Sequence, residues 1–292
     1  MGSALTTIAL PIALGIIMLG LGLSLTPDDF RRVARHPKAV IVALLCQLIL
    51  LPAVAFGLAH LFQLPPLLAV GLMLLAASPG GSTANLYSHL FRGDVALNVS
   101  LTAINSVVAV FTLPIIVNLS FAYFQPGEGE VGLQFVKAVE VFVIVVLPVV
   151  IGMLIRAWKP EFARSADKPV RIASAIILVV VLVGAIISNF AILQQYFLGL
   201  AGVTVAFCVI SLTVGYFVPK WVGVTRGEAI ASAFEIGIHN ATLAIVVAQS
   251  VRGEIDELAL PAAVYGVLMF FIAAAFGFLI RGRTTARSAP AS

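Results

Sequence analysis

Nine apolar runs follow one another along this chain, at about residues 5–25, 39–62, 67–91, 95–123, 134–156, 170–190, 198–218, 227–251 and 258–280. Each is long enough to cross a hydrocarbon layer as a helix, which takes about 20 residues. Lipid offers the backbone no hydrogen-bond partners, so a spanning segment must satisfy its own amides. The runs therefore predict an all-α integral membrane protein with nine transmembrane helices. Composition agrees: 61% of the 292 residues are hydrophobic and 10% charged, against about 25% charged in a soluble domain. No Lys or Arg precedes the first run and no small-residue cleavage site follows it, so it reads as a span and not as a signal peptide. The loops are too short for a separate soluble domain. Cys46 and Cys208 lie inside apolar stretches and read as packing residues. The net charge of +4 is spread over short loops, which argues against nucleic acid.

The basic residues orient the chain. Arg31, Arg32, Arg35 and Lys38 follow span 1, Arg92 follows span 3, and Arg156, Lys159, Arg164, Lys168 and Arg171 follow span 5. Lys220 and Arg226 follow span 7, and Arg281, Arg283 and Arg287 follow span 9; only Lys137 and Arg252 fall on the other side. The positive-inside rule then puts the N-terminus outside and the C-terminus in the cytoplasm. The loops at Gln63–Pro66, Gln125–Gly132 and Gly253–Glu257 are neutral or acidic, as outer loops should be.

Two spans are wrong for simple helices. Span 3 reads Pro79-Gly80-Gly81-Ser82-Thr83-Ala84-Asn85, where proline removes a donor and two glycines loosen the backbone. Span 8 carries Glu235, His239 and Asn240 around Gly237. A carboxylate at mid-bilayer costs a few kcal/mol or more and usually faces a protein interior or an ion pathway. Both spans are expected to break. They stand five apart, so a repeat of five helices would place its second copy inverted, with the first copy short of one helix. Interrupted segments at matching places in inverted halves point to a secondary transporter's binding site. Released carbonyls can replace the water shell of a small cation, and the N-terminus of each second half-helix suits an anion. Gly81, Ser82 and Asn240 stand at those N-termini and are the candidate substrate residues; Asn240 is also placed to cap its half-helix.

The Ser78–Asn85 segment, the Arg92-Gly93-Asp94-Val95-Ala96-Leu97 junction, Glu235-x-Gly-x-x-Asn240, the glycine-rich first span and Pro27-Asp28-Asp29-Phe30 together resemble the bile acid:sodium symporter family. The resemblance covers almost the whole chain. It implies a nine-helix form lacking the first helix of ten-helix members, with a panel domain at about 5–25 and 134–190. The core domain would take about 39–123 and 198–280, with broken helices 3 and 8 crossing in it. It also implies about two coupling Na⁺ ions. One site is similar to Ala84, Asn85, Asn98, Thr102 and Glu235; the other resembles Gln47, Glu235, Ile236, Ile238 and His239, in part through backbone carbonyls. Carboxylate, amide, hydroxyl and carbonyl oxygens suit a hard cation. Asn98 and Thr102, four apart, share a helix face.

Three departures from the family pattern matter. Ala84 stands where serine is common, His239 where glutamine is common, and Met269 and Phe270 where some bile-acid carriers place His and Asn. Elsewhere, Gln47, Asn105, Ser106, Thr112 and Asn118 could bond between helices, as polar side chains in membrane bundles do. Lys137 and Glu140 are spaced to pair, His36 and His60 lie near span ends, His89 is a helix-face residue, and Trp158 and Trp221 read as interfacial anchors.

The function these features imply is secondary active symport: import of a small organic anion with Na⁺ by alternating access, in a bacterial inner membrane. A proton-coupled organic anion transporter or antiporter, with Glu235 titrating, stays open. No His-Glu-x-x-His motif and no nucleophile turn with a histidine partner occurs, so no enzyme is expected. Oligomeric state is not legible, and the tail after Arg281 has the Thr, Ser and Ala content of a disordered end.

Overall fold

The computed structural model describes residues 10–281, apart from Leu25, Pro27, Asp29, Phe30, Arg32, Val33, 126–134, Asn189 and 253–256. The expected pairing of Lys137 with Glu140, the outer loops near 126–132 and 253–256, and the tail after Arg281 lie outside the described residues or side chains.

Among the described residues the chain is helical, and its one bridge of strand type is the pairing of Gly80 with His239. The helices are α1 (Leu10–Ser24), α2 (Pro37–Leu45), α3 (Leu51–Leu61), α4 (Pro66–Ala77), α5 (Ser82–Leu90), α6 (Val95–Phe124) and α7 (Phe135–Trp158). They continue with α8 (Pro160–Ser188), α9 (Phe190–Trp221), α10 (Arg226–Gly237), α11 (Ala241–Arg252) and α12 (Leu260–Ile280). A π-helical turn, Cys46–Leu50, joins α2 to α3.

Three described helical stretches are long and apolar enough to cross a membrane: Pro37–Leu61, Leu198–Trp221 and Glu257–Ile280. A fourth is α6 if its two parts count together; they bend by 53° between Ala109 and Phe111. Pro114 explains the bend, because its ring has no N–H for the Val110 carbonyl one turn back and crowds it. Runs 67–91 and 227–251 do not form single spans. Each is split into halves of at most 12 residues, about 18 Å of helix against a layer of about 30 Å. The runs at 5–25, 134–156 and 170–190 include residues or side chains outside the described set.

Helix α4 is buried on every side from Leu68 to Ala77, and α10 from Glu228 to Gly237. A helix buried all round belongs at the centre of a bundle. Helix α10 packs on α5, α6 and α9, while α4 packs on α3 and α6. Helices α1, α7 and α8 pack chiefly on one another. Backbones meet there: a Cβ added at Gly22 would fall 2.2 Å from the Val149 carbonyl oxygen, and one at Gly152 would fall 2.6 Å from that of Leu19. Small residues that let helix backbones touch are a common device of membrane bundles.

Local sequence explains the element ends. Thr225 and Glu228 form a reciprocal capping box at the start of α10. Asp94 caps α6 by accepting from the Leu97 amide at 2.9 Å. His36, expected at a span end, instead ties that end down, with Nδ1 2.7 Å from Glu228 Oε1. His60 sits in an aromatic group with Phe56, Tyr123 and Phe124. Trp158 and Trp221 are exposed, as anchors should be.

Candidate functional site: a buried carboxylate where two broken helices meet

Helix α4 stops at Ala77 and α5 starts at Ser82, because Pro79 cannot donate and Gly80 and Gly81 do not hold a helix. Helix α10 stops at Gly237 and α11 starts at Ala241. The break in the second run thus follows Gly237 rather than centring on it. The two gaps pair with each other. The Asn240 amide donates to the Pro79 carbonyl at 2.9 Å and the Gly81 amide to the Ile238 carbonyl at 3.3 Å. Backbone groups released by one break are satisfied by the other, which is what lipid demands of irregular backbone.

Glu235 lies in the last turn of α10 beside this junction and is fully buried. Its Oε2 accepts from Thr102 Oγ1 at 2.5 Å and its Oε1 from Asn105 Nδ2 at 3.0 Å. The Gly80 backbone amide also faces the carboxylate. Gly80 is needed for a second reason: a Cβ there would fall 2.6 Å from Glu235 Oε1 and 2.5 Å from its carbonyl oxygen. Among the described residues no cationic side chain pairs with Glu235.

Of the expected first ion group, hydrogen bonds tie Thr102 and Asn98 to this carboxylate and its helix. Thr102 bonds it directly with its single hydroxyl hydrogen, and Thr102 Oγ1 also lies 3.0 Å from the Asn98 carbonyl, the weaker arm of a forked bond. Asn98 Nδ2 donates to the Ala231 carbonyl at 2.6 Å, one turn before Glu235. Each amide nitrogen so engaged turns its oxygen the other way. Asn98 Oδ1 and Asn105 Oδ1 are buried without a hydrogen-bond partner in the protein, and so is Asn85 Oδ1 on α5. Ala84 is buried in the first turn of α5, its amide on the Gly81 carbonyl at 2.9 Å. Asn105, expected to bond between helices, does so, and its partner is the carboxylate itself. Its signal was spacing: Asn98, Thr102 and Asn105 at i, i+4 and i+7 form one helix stripe. Ser106 and Thr112 do not bond between helices as expected; their hydroxyls donate to the carbonyls of Thr102 and Val108 on their own helix.

The second expected group is only partly brought together. Gln47, on the π-turn, donates through Nε2 to the carbonyls of Ala76 and Ser78, each at 3.1 Å. His239 Nδ1 lies 3.0 Å from the same Ser78 carbonyl. Its ring stacks on Phe207, centroids 5.3 Å apart, beside Tyr265 at 5.5 Å. Ile238 offers a carbonyl that Gly81 already uses, while the Ile236 side chain packs toward Gly215 of α9. The π-turn was not foreseen. Pro52 is its cause, since it cannot donate one turn back and the ladder re-spaces over Cys46–Leu50.

The candidate substrate residues flank the junction. Gly81 precedes α5 and a Cβ there would meet nothing within 4 Å. Ser82 opens α5; its side chain lies outside the described set. Asn240 is mostly buried and caps α11, accepting from the Leu243 amide at 3.0 Å. Two helix N-termini therefore begin at one place, each with first-turn amides turned toward the junction.

Comparison with known proteins supplies the rest. Residues 11–196 match the sodium bile acid symporter family. The chain belongs to that family. Among its relatives, "Uncharacterized sodium-dependent transporter YocS" of Bacillus subtilis is 29% identical over 88% of this chain and 78% of its own length. The "Probable sodium/metabolite cotransporter BASS1, chloroplastic" of Arabidopsis thaliana is 29% identical over 88% of this chain, which spans 62% of that longer protein. The human ileal sodium/bile acid cotransporter is 27% identical over 85% of this chain and 70% of its own length. A member of the sodium bile acid symporter family is an integral membrane transporter and not an enzyme, and its relatives are coupled to sodium.

Proposed function

We propose that the protein is a secondary active symporter that carries a small organic anion inward with Na⁺ by alternating access. One observation carries the reading. Glu235 is fully buried, has hydrogen bonds but no cationic partner among the described residues, and the amide oxygens of Asn105, whose nitrogen bonds it, and of Asn85 and Asn98 are buried and accept from nothing in the protein. A buried carboxylate without a counter-charge is costly, and a set of acceptors without donors is a cation's environment. Asn85, Asn98, Thr102 and Glu235 would hold the ion, with Asn105 orienting the carboxylate and Ala84 offering at most its carbonyl. The filled site cancels the local negative charge. That favours an anion at Gly81, Ser82 and Asn240, where two helix N-termini lend partial positive charge.

Packing supports the two-part architecture of nine helices in inverted repeats. Helices α1, α7 and α8 would be the panel and the remaining helices, with the crossing, the core. Motion of core against panel would expose the junction to either side. The distribution of basic residues supports an N-terminus outside and a C-terminus in the cytoplasm, and the YocS likeness fits a bacterial inner membrane.

The test is thermal unfolding of the purified protein in Na⁺ and in choline, screened against small carboxylates, sulfonates and steroid conjugates. Stabilisation by Na⁺, increased further by one anion class, is expected, and Glu235→Ala or Asn85→Ala should remove it while the protein still inserts. Equal stability in choline, with uptake that follows a proton gradient instead, would replace this reading by proton coupling.

A further inference from the structure

The two ion groups differ in what they present. In the group assigned to Glu235 the free buried atoms are acceptor oxygens, those of Asn85, Asn98 and Asn105, and the amide nitrogens of Asn98 and Asn105 are already spent on protein partners. Around Gln47 and His239 the reverse holds. The Ser78 carbonyl has two lone pairs and takes two donors, Gln47 Nε2 at 3.1 Å and His239 Nδ1 at 3.0 Å. Because a carbonyl only accepts, Nδ1 must carry the hydrogen. The neighbouring carbonyls each take a donor from across the junction: Ala76 accepts from Gln47, Pro79 from the Asn240 amide, and Ile238 from the Gly81 amide. Gly237 accepts from the Tyr265 hydroxyl at 2.9 Å and lies 3.7 Å from Cys208 Sγ.

Among the described side-chain atoms of this group, the two buried without a hydrogen-bond partner are one amide oxygen, Gln47 Oε1, and one nitrogen, His239 Nε2. The nitrogen belongs to a ring held beside the aromatic faces of Phe207 and Tyr265. Sodium is a hard cation that takes several oxygens and has little use for imidazole. Imidazole offers no oxygen in any rotamer, so this position presents a cation with ring nitrogen alone.

We infer that this chain binds a single sodium ion, at the Glu235 group, and that Gln47 and His239 form a hydrogen-bonded tie across the helix breaks in place of a second ion site. The tie joins three elements, the π-turn, the end of α4 and the gap before α11, at the carbonyl of Ser78. It does with protein donors what an ion would otherwise do with its charge. The inference rests on the sodium reading of the Glu235 group given above.

Equilibrium binding of radiosodium to the purified full-length protein tests it. Saturation should reach one ion per chain in the wild type and none in Asn85→Ala or in Asn98→Ala, two variants that remove different free oxygens. Stability gives an independent count: above saturation, each tenfold rise in Na⁺ should raise the folded-to-unfolded ratio about tenfold for one ion, against about a hundredfold for two. Two ions bound to the wild type would overturn the inference and leave the symport reading standing. One ion that persists undiminished in both Asn variants would overturn it too, by moving the ion to the Gln47 side. No bound sodium at all would reject the sodium site itself.

Discussion

Gly80→Ala isolates the geometry of the ion group without touching any of its side chains. The added Cβ would lie 2.6 Å from Glu235 Oε1, and an ordinary contact begins at 3.4 Å. The carboxylate must therefore retreat by about 0.8 Å, and the Glu235 carbonyl, 2.5 Å from the same Cβ, must shift with it, in a packed interior where overfilling costs about 1–3 kcal/mol. It retreats against the two bonds that hold it, from Thr102 at 2.5 Å and Asn105 at 3.0 Å. If that cost falls on the ion-bound state, sodium affinity drops about 5- to 150-fold, at about 1.4 kcal/mol per factor of ten. The assay is the sodium dependence of thermal stabilisation in detergent, at constant ionic strength with choline as the replacing cation. Gly57→Ala is the control. Gly57 lies in a helix with nothing within 4 Å of an added Cβ, so sodium affinity should be unchanged and stability equal or slightly higher. A folded Gly80→Ala protein whose sodium affinity stays within twofold of wild type would refute the placement of the ion at this carboxylate.

Further substitutions probe the supports of the site. Thr102→Val deletes the shortest bond to Glu235, a bond to a charged group of the kind worth about 1.5–3 kcal/mol; sodium affinity should fall by at least tenfold in the same assay. Asn240→Ala removes the cap of α11 and should lower stability by about 1 kcal/mol in calorimetry or denaturant unfolding. It should also weaken anion-dependent stabilisation more than sodium-dependent stabilisation. Gln47→Leu leaves the Ala76 carbonyl without its side-chain donor and the Ser78 carbonyl with one donor fewer; amide exchange at Gly80, Gly81 and Asn240 should quicken, while sodium binding persists. Gly152→Leu should force α7 from α1, where a Cβ already meets the Leu19 carbonyl at 2.6 Å, and reduce the yield of folded protein on size-exclusion chromatography.

Much of the site was legible because its signals are local or chemical. Pro79, Gly80 and Gly81 cannot continue a helix, and the structure breaks there. Glu235 is conspicuous in an apolar run, and it is buried where the breaks meet. Asn98 and Thr102 share a stripe that the helical period alone marks. What stayed hidden depends on contacts between distant segments. That Gly80 lies against a carboxylate in another helix needs the pairing of the gaps, and no pattern around residue 80 announces it. The tie of Gln47 and His239 on one carbonyl joins positions 31 and 161 apart, through a π-turn whose local trace is Pro52. Asn105 reads correctly as an interhelical group, but its partner does not follow from the sequence, because a polar residue on a membrane helix has many ordinary uses.

The pairing of Gly80 with His239 also bears on how the protein is made. Ser78 and His239 are 161 positions apart, so the gap after α4 enters the membrane long before its partner is synthesised. Until then its amides and carbonyls face lipid or borrow water, at several kcal/mol for each group left unmet. The early helices are an unfinished assembly during that interval. A nascent chain stalled before Arg226 should be recognised as defective by membrane quality control, however well its first helices have inserted.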